Sequence, residues 1–192
     1  AGLTLHRPPP KSLIANDRLG RSGWRGSPYS AATGLVLLLV VLSAAAGPAA
    51  QPVQPPYPGP DDTCPVCGMF VAKYPEWVAS VHYQDGHTHH FDGAKDLFKY
   101  LRDLPRWAPG HEASEIRGSA VTEYYSLARI NARTAWYVTG SDVLGPMGHE
   151  LIPLESREAA EEFMHDHGGN RILRFDDVDT ALLQALDRGE FR

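Results

Sequence analysis

A chain of 192 residues with a formal net charge of −5 and 43% hydrophobic residues holds one domain's worth of folding material. Its cations Arg7, Lys11, Arg18, Arg21 and Arg25 precede residue 50 against the single acid Asp17, so the remainder is strongly acidic. That argues against nucleic acid as a partner, which needs clustered cations. There is also no nucleophile motif, phosphate-cradling Gly loop or dinucleotide fingerprint, so no catalysis is expected.

Residues 1–50 read as a basic segment followed by a signal peptide or anchor. Small residues, Ser43 to Ala50, follow the apolar run Gly34 to Leu42. That run is shorter than the roughly 20 residues of a spanning helix. Counted from Ala31 to Gly47 it nears that length, so a cleaved signal and a retained anchor both stay open. Either one places the rest of the chain in a periplasmic or other extracytoplasmic space. Residues 51–62, with Pro52, Pro55, Pro56, Pro58 and Pro60, read as an extended linker. Residues 63–192 read as the folded domain.

Within that domain, Phe70–Lys73 and Trp77–Tyr83 are predicted strands separated by Tyr74-Pro75. Trp77, Ala79, Val81 and Tyr83 alternate with Val78, Ser80 and His82, as in a half-buried strand. Gln84-Asp85-Gly86 is a hairpin turn, and His87–Phe91 returns as a strand. Asp92 is the expected N-cap of a helix over Ala94–Arg102. Its apolar face is Leu97, Phe98 and Leu101, with Lys95, Asp96, Lys99 and Arg102 on the other sides. A strand over Ala120–Ser126 follows.

The second half repeats this order. Ala135–Thr139 is a strand, Gly140–Gly148 a Gly-rich loop and His149–Leu154 a short strand. Ser156 caps a helix over Arg157–His167, which Gly168-Gly169 terminates. Arg171–Phe175 is a strand, and Val178–Leu186 the last helix. The expected fold class is therefore α+β, two related ββαβ units sharing one core.

Cys64 and Cys67 are the only cysteines. Two intervening residues let both sulfurs reach one ion from a tight turn, and Met69 adds a thioether close by. Thiolate with thioether selects soft ions, copper(I) above all, whereas zinc sites are more often built of Cys and His alone. A redox pair and a small-ring structural disulfide are the other readings of Cys-x-x-Cys. Met147 stands in the Gly145-Pro146-Met147-Gly148-His149 loop, off any apolar face, as a further ligand or as a lid over the core. His149 beside it is an imidazole donor to the same ion or an exposed loop residue. His87 and His89 share one strand face with His90 on the other. That face is a metal-binding pair or a polar edge.

Several segments together resemble the NosL family of copper(I) chaperones that assist assembly of nitrous oxide reductase. They are Cys67-Gly68-Met69, Phe91-Asp92-Gly93-Ala94-Lys95-Asp96-Leu97-Phe98, Ala132-Arg133-Thr134-Ala135-Trp136-Tyr137-Val138-Thr139-Gly140, Gly145-Pro146-Met147-Gly148 and His167-Gly168-Gly169. The resemblance implies a pair of ββαβ units similar to the organomercurial lyase MerB. It also implies copper binding at Cys67 and Met69 with Met147 from the Gly-rich loop, and delivery to an ABC-type membrane complex that serves the reductase. Two departures stand out. No Cys lies near the apolar run for lipid attachment, and Cys64 is an extra cysteine, a further ligand or a redox partner. The second places the chain among broader NosL-like proteins whose client need not be nitrous oxide reductase.

Overall fold

The computed structural model describes residues 55–190. The basic segment, the apolar run and the start of the Pro-rich stretch lie outside the described residues. Among the described residues no helix is long and apolar enough to cross a membrane.

The first unit runs β1 (Ala79–Tyr83), β2 (Thr88–Phe91), α1 (Ala94–Arg102), a short α2 (Leu104–Trp107) and β3 (Ile116–Thr122), with β4 (Arg129–Asn131) added at the edge. The second runs β5 (Trp136–Ser141), a small hairpin of β6 (Leu144–Gly145) and β7 (Gly148–His149), β8 (Ile152–Leu154), α3 (Arg157–His167) and β9 (Gly168–Leu173). α4 (Thr180–Asp187) closes the described chain. The sheet orders are β2-β1-β3-β4 and β8-β5-β9, antiparallel throughout. In each unit the first strand takes the centre, the second flanks it, and the strand after the helix takes the other side. This is the duplicated α+β order expected from the sequence.

The two units share a core. β5 alternates strictly: Tyr137 joins the cluster of Phe91, Leu97, Phe98 and Tyr100 from the first unit, while Val138 faces Ile152, Ala160 and Phe163 beneath α3. Leu182, Leu183 and Leu186 of α4 fall in the first cluster, so the end of the chain packs back on the first unit.

Several boundaries differ from expectation for local reasons. Phe70–Lys73 is no strand; Val71–Lys73 is a 3₁₀ turn, and Phe70 makes one isolated bridge to Thr63. Pro75 opens a second 3₁₀ turn, Pro75–Trp77, so β1 starts only at Ala79. β1 is buried at all five positions rather than half-buried. Its outer face is covered because Arg129 donates to Ser80 Oγ and, at 3.0 Å each, to the carbonyls of Pro55 and Pro56. The described part of the Pro-rich stretch therefore lies against the first sheet. Both longer helices span the predicted residues. α3 is capped as expected, Ser156 Oγ accepting from the Ala159 N–H at 3.0 Å. α1 is not: Gly93 takes the cap position with no side-chain hydrogen bond, and Asp92 points elsewhere.

Candidate metal centre

The segment from Cys64 to Met69 folds into a closed turn. The Cys64 N–H donates to the Met69 carbonyl and the Gly68 N–H to the Cys64 carbonyl, each at 2.8 Å. Gly68 sits at φ 77°, a conformation that glycine adopts without the Cβ penalty. This closure aims backbone amides at sulfur: those of Val66 and Cys67 at Cys64, and that of Met69 at Cys67. Amides so placed favour the thiolate form.

The turn faces the start of α1. The Cys67 thiol donates to Asp92 Oδ1 at 3.1 Å, and the Cys64 thiol to Asp96 Oδ2 at 3.4 Å. One ligand atom from each of Cys64, Cys67, Asp92 and Asp96 lies within 4.8 Å of the other three. Both carboxylates are buried, 1% and 2% exposed, although charged groups seldom are unless paired. Asp92 Oδ2 is buried without a hydrogen-bond partner. A buried carboxylate oxygen left over beside two sulfurs fits a cation there.

The electrostatics hold both thiols protonated. Burial pushes the Cys64 thiol up to about 12, with the charges of Asp96 and Asp92 acting the same way. Burial, then the Asp92 hydrogen bond and the neighbouring Cys64, push Cys67 up further. Thiols this far above neutral are poor nucleophiles, and the turn does not open a helix, so the geometry disfavours a thiol–disulfide oxidoreductase. Both stand as free thiols.

A cleft of about 420 Å³ opens on Cys67 and Asp96 and is also lined by Val66, Trp107, Met147 and Asp187. Met147 is 46% exposed there. Two bonds from Lys95 in α1 and its surroundings fix this loop. Lys95 Nζ donates to the Met147 carbonyl at 3.1 Å, and the Lys95 N–H donates to Glu150 Oε1 at 2.5 Å. Glu150, 4% exposed, thus caps the end of α1 that has no cap of its own, and it also accepts from the Leu151 N–H at 2.8 Å. Burial raises its carboxyl to about 8. A Cβ on Gly93 would stand 2.2 Å from Glu150 Oε2, so glycine there makes room for this remote cap.

Of the residues singled out from the sequence, Cys64, Cys67 and Met147 converge on one cleft or cluster. Met69 closes the turn and is half-buried. His149 sits on β7 opposite Leu144, its ring beside Gly189, and is not brought to the sulfurs. His90 is buried on the outer face of the first sheet against Ser80 Oγ, at 2.9 Å. Asp92, Asp96, Lys95 and Glu150 were not expected in the site. Asp92, expected as the cap of α1, instead accepts from the Cys67 thiol, and Lys95 and Asp96, off the apolar face, are buried all the same.

The NosL family model matches residues 57–183. The copper-binding lipoprotein NosL of Stutzerimonas stutzeri is 31% identical over 124 residues, covering 64% of this chain and 65% of that protein. The matched stretch thus spans just under two thirds of that relative's length. The crystal structure of the copper chaperone NosL from Shewanella denitrificans aligns at a TM-score of 0.55 with 26% identity, over 67% of this chain and 97% of that one. Neither relative is described as an enzyme.

Proposed function

The chain belongs to the NosL family, and on that premise we propose that it is a copper(I)-binding accessory protein of the extracytoplasmic space, held at a membrane through its N-terminal part. It passes copper to a cuproenzyme under assembly, nitrous oxide reductase or a related client, by way of an ABC-type membrane complex. The observation that carries this reading is the pairing of two sulfurs, each served by backbone amides, with two buried carboxylates four residues apart.

In this reading Cys67 and Cys64 bind as thiolates. Their protons leave by way of Asp92 and Asp96, the groups that already accept the S–H hydrogen bonds. Carboxylates alone would suit a harder ion, and the methionine thioethers of Met69 and Met147 tip the selection toward copper(I). Met147 stands exposed at the mouth of the cleft. An incoming donor therefore replaces this neutral ligand first, and the thiolates let go last. Because the thiols must deprotonate, copper(I) binds more tightly as pH rises and releases protons to solvent.

Thermal unfolding of the reduced chain tests the proposal. An ion at a thousand times its dissociation constant adds about 4 kcal/mol, which raises the melting temperature by roughly 10 °C or more. Met147→Ala retains most of that shift and loses copper(I) faster to a competing chelator. No shift with copper(I), together with reductase activity on a disulfide substrate, would overturn it.

A further inference from the structure

The fold gathers a second set of donors that the sulfur site does not use. β2 begins beside the β1–β2 turn and ends next to Asp92. His87, just before its start, and Asp92 lie five residues apart along the chain, roughly 16 Å if extended. At the turn end, His87 and His89 lie on one face as their alternation requires, their ring centroids 5.2 Å apart. His111, from the loop after α2, comes in beside them, its ring 5.1 Å from that of His87. Imidazoles bound through nitrogen to one tetrahedral ion at about 2 Å have ring centres about 5 Å apart. Tyr83 stacks under His87 at 4.2 Å and 13°, and lies 5.0 Å from the His111 ring, which holds the group together.

Two of the three rings have a carboxylate partner on Nδ1. Asp85 Oδ1 lies 2.5 Å from His87 Nδ1 and Glu115 Oε2 lies 3.0 Å from His111 Nδ1. A carboxylate on Nδ1 fixes the proton there and leaves the Nε2 lone pair for an ion, an arrangement that recurs behind metal-bound histidines. His89 is half-buried, its ring edge-on to that of Tyr83 at 5.8 Å. A small cleft of about 200 Å³, lined by Tyr83, Asp85, His111 and Glu115, adjoins these rings. Bringing the nitrogens onto one ion takes side-chain rotations at His87 and His111. Both have about a third of the side chain exposed, 33% and 36%, and have room to turn.

We propose that His87, His111 and His89 form a second metal site for a divalent ion of borderline softness, zinc(II) or copper(II), with Asp85 and Glu115 orienting the imidazoles. It has no sulfur and differs in chemistry from the cysteine cluster: imidazole and carboxylate suit divalent ions, whereas thiolate suits copper(I). The inference rests on the histidine geometry and stands whether or not the cysteine cluster carries copper(I).

Zinc(II) is the probe. Titration of the full reduced chain, followed by calorimetry and by the imidazole resonances, is expected to show one more bound ion in the wild type than in the His87→Gln/His111→Gln variant. Cys67→Ser keeps the histidine event, which separates the two sites. Both histidines are at the surface, so their substitution leaves the fold intact, as the melting curve without metal will check. Glu115→Gln weakens the same event about 10-fold through loss of the oriented ring. Equal stoichiometry and affinity in wild type and double variant, or zinc-induced shifts only at His165 and His167, would overturn the proposal.

Discussion

The two ββαβ units have one topology and opposite solutions for the start of their helix. In the second unit Ser156 caps α3 locally, and that helix packs over Val138, Ile152 and Leu154. In the first unit the cap position is a glycine with no side-chain bond, and the Lys95 N–H at the start of α1 is reached by Glu150 from 55 residues away in sequence. The exchange releases Asp92, the natural capping residue, to hold the Cys67 thiol, and it ties the Met147 loop to the same helix end. Moving the cap of α1 onto Glu150 thus brings the Met147 loop of the second unit to the helix end that faces the cysteine turn.

This contrast can be broken most severely at Gly93. Gly93→Ala places a methyl group against the Glu150 carboxylate and should cost about 2–3 kcal/mol of stability by denaturant unfolding, with a parallel loss of copper affinity. The matching change in the other unit, Ser156→Ala, should cost about 1 kcal/mol and leave copper binding untouched. A copper effect from Ser156→Ala would mean that the units are not divided in this way.

Glu150 sharpens the contrast through pH. Its carboxyl titrates at about 8 in the folded chain and at its ordinary 4.5 when unfolded. The folded state therefore holds the extra proton between those values, and stability falls as pH rises from about 4.5 to 8. Glu150→Gln should flatten that part of the stability–pH curve, while Ser156→Ala leaves its slope unchanged. The smallest effect is expected at Asp92→Asn. It replaces the carboxylate that accepts the Cys67 S–H, after burial the main cause of that thiol's raised pKa, by a neutral amide whose N–H can serve the thiolate. Alkylation of Cys67 at fixed pH should become a few-fold faster.

How much of this was legible in the sequence follows the same division. Features with local causes were readable: the span of α3 with its Ser156 cap, the Gly168-Gly169 stop, both positive in φ, and the 94–102 limits of α1 from its apolar spacing. The sulfur hook was readable too, because two cysteines with two residues between them and a nearby methionine stand out. Asp92 and Asp96 were not. Their burial is made by a cysteine turn about thirty residues earlier and by Glu150 much later, and nothing near them in sequence marks it. Phe70–Lys73 failed for the opposite reason. Its apolar pattern suits a strand, but the closed turn before it and Pro75 after it leave only a 3₁₀ turn.

Copper(I) is expected at the start of α1, between the cysteine turn and the Asp92 and Asp96 carboxylates. Competitive copper(I) titration of the reduced chain against a chromophoric chelator tests this most directly. The account predicts one copper(I) per chain, with Cys67→Ser weakening binding by at least about 100-fold, that is by about 2.7 kcal/mol or more. Binding to Cys67→Ser as tight as to the wild type would contradict it.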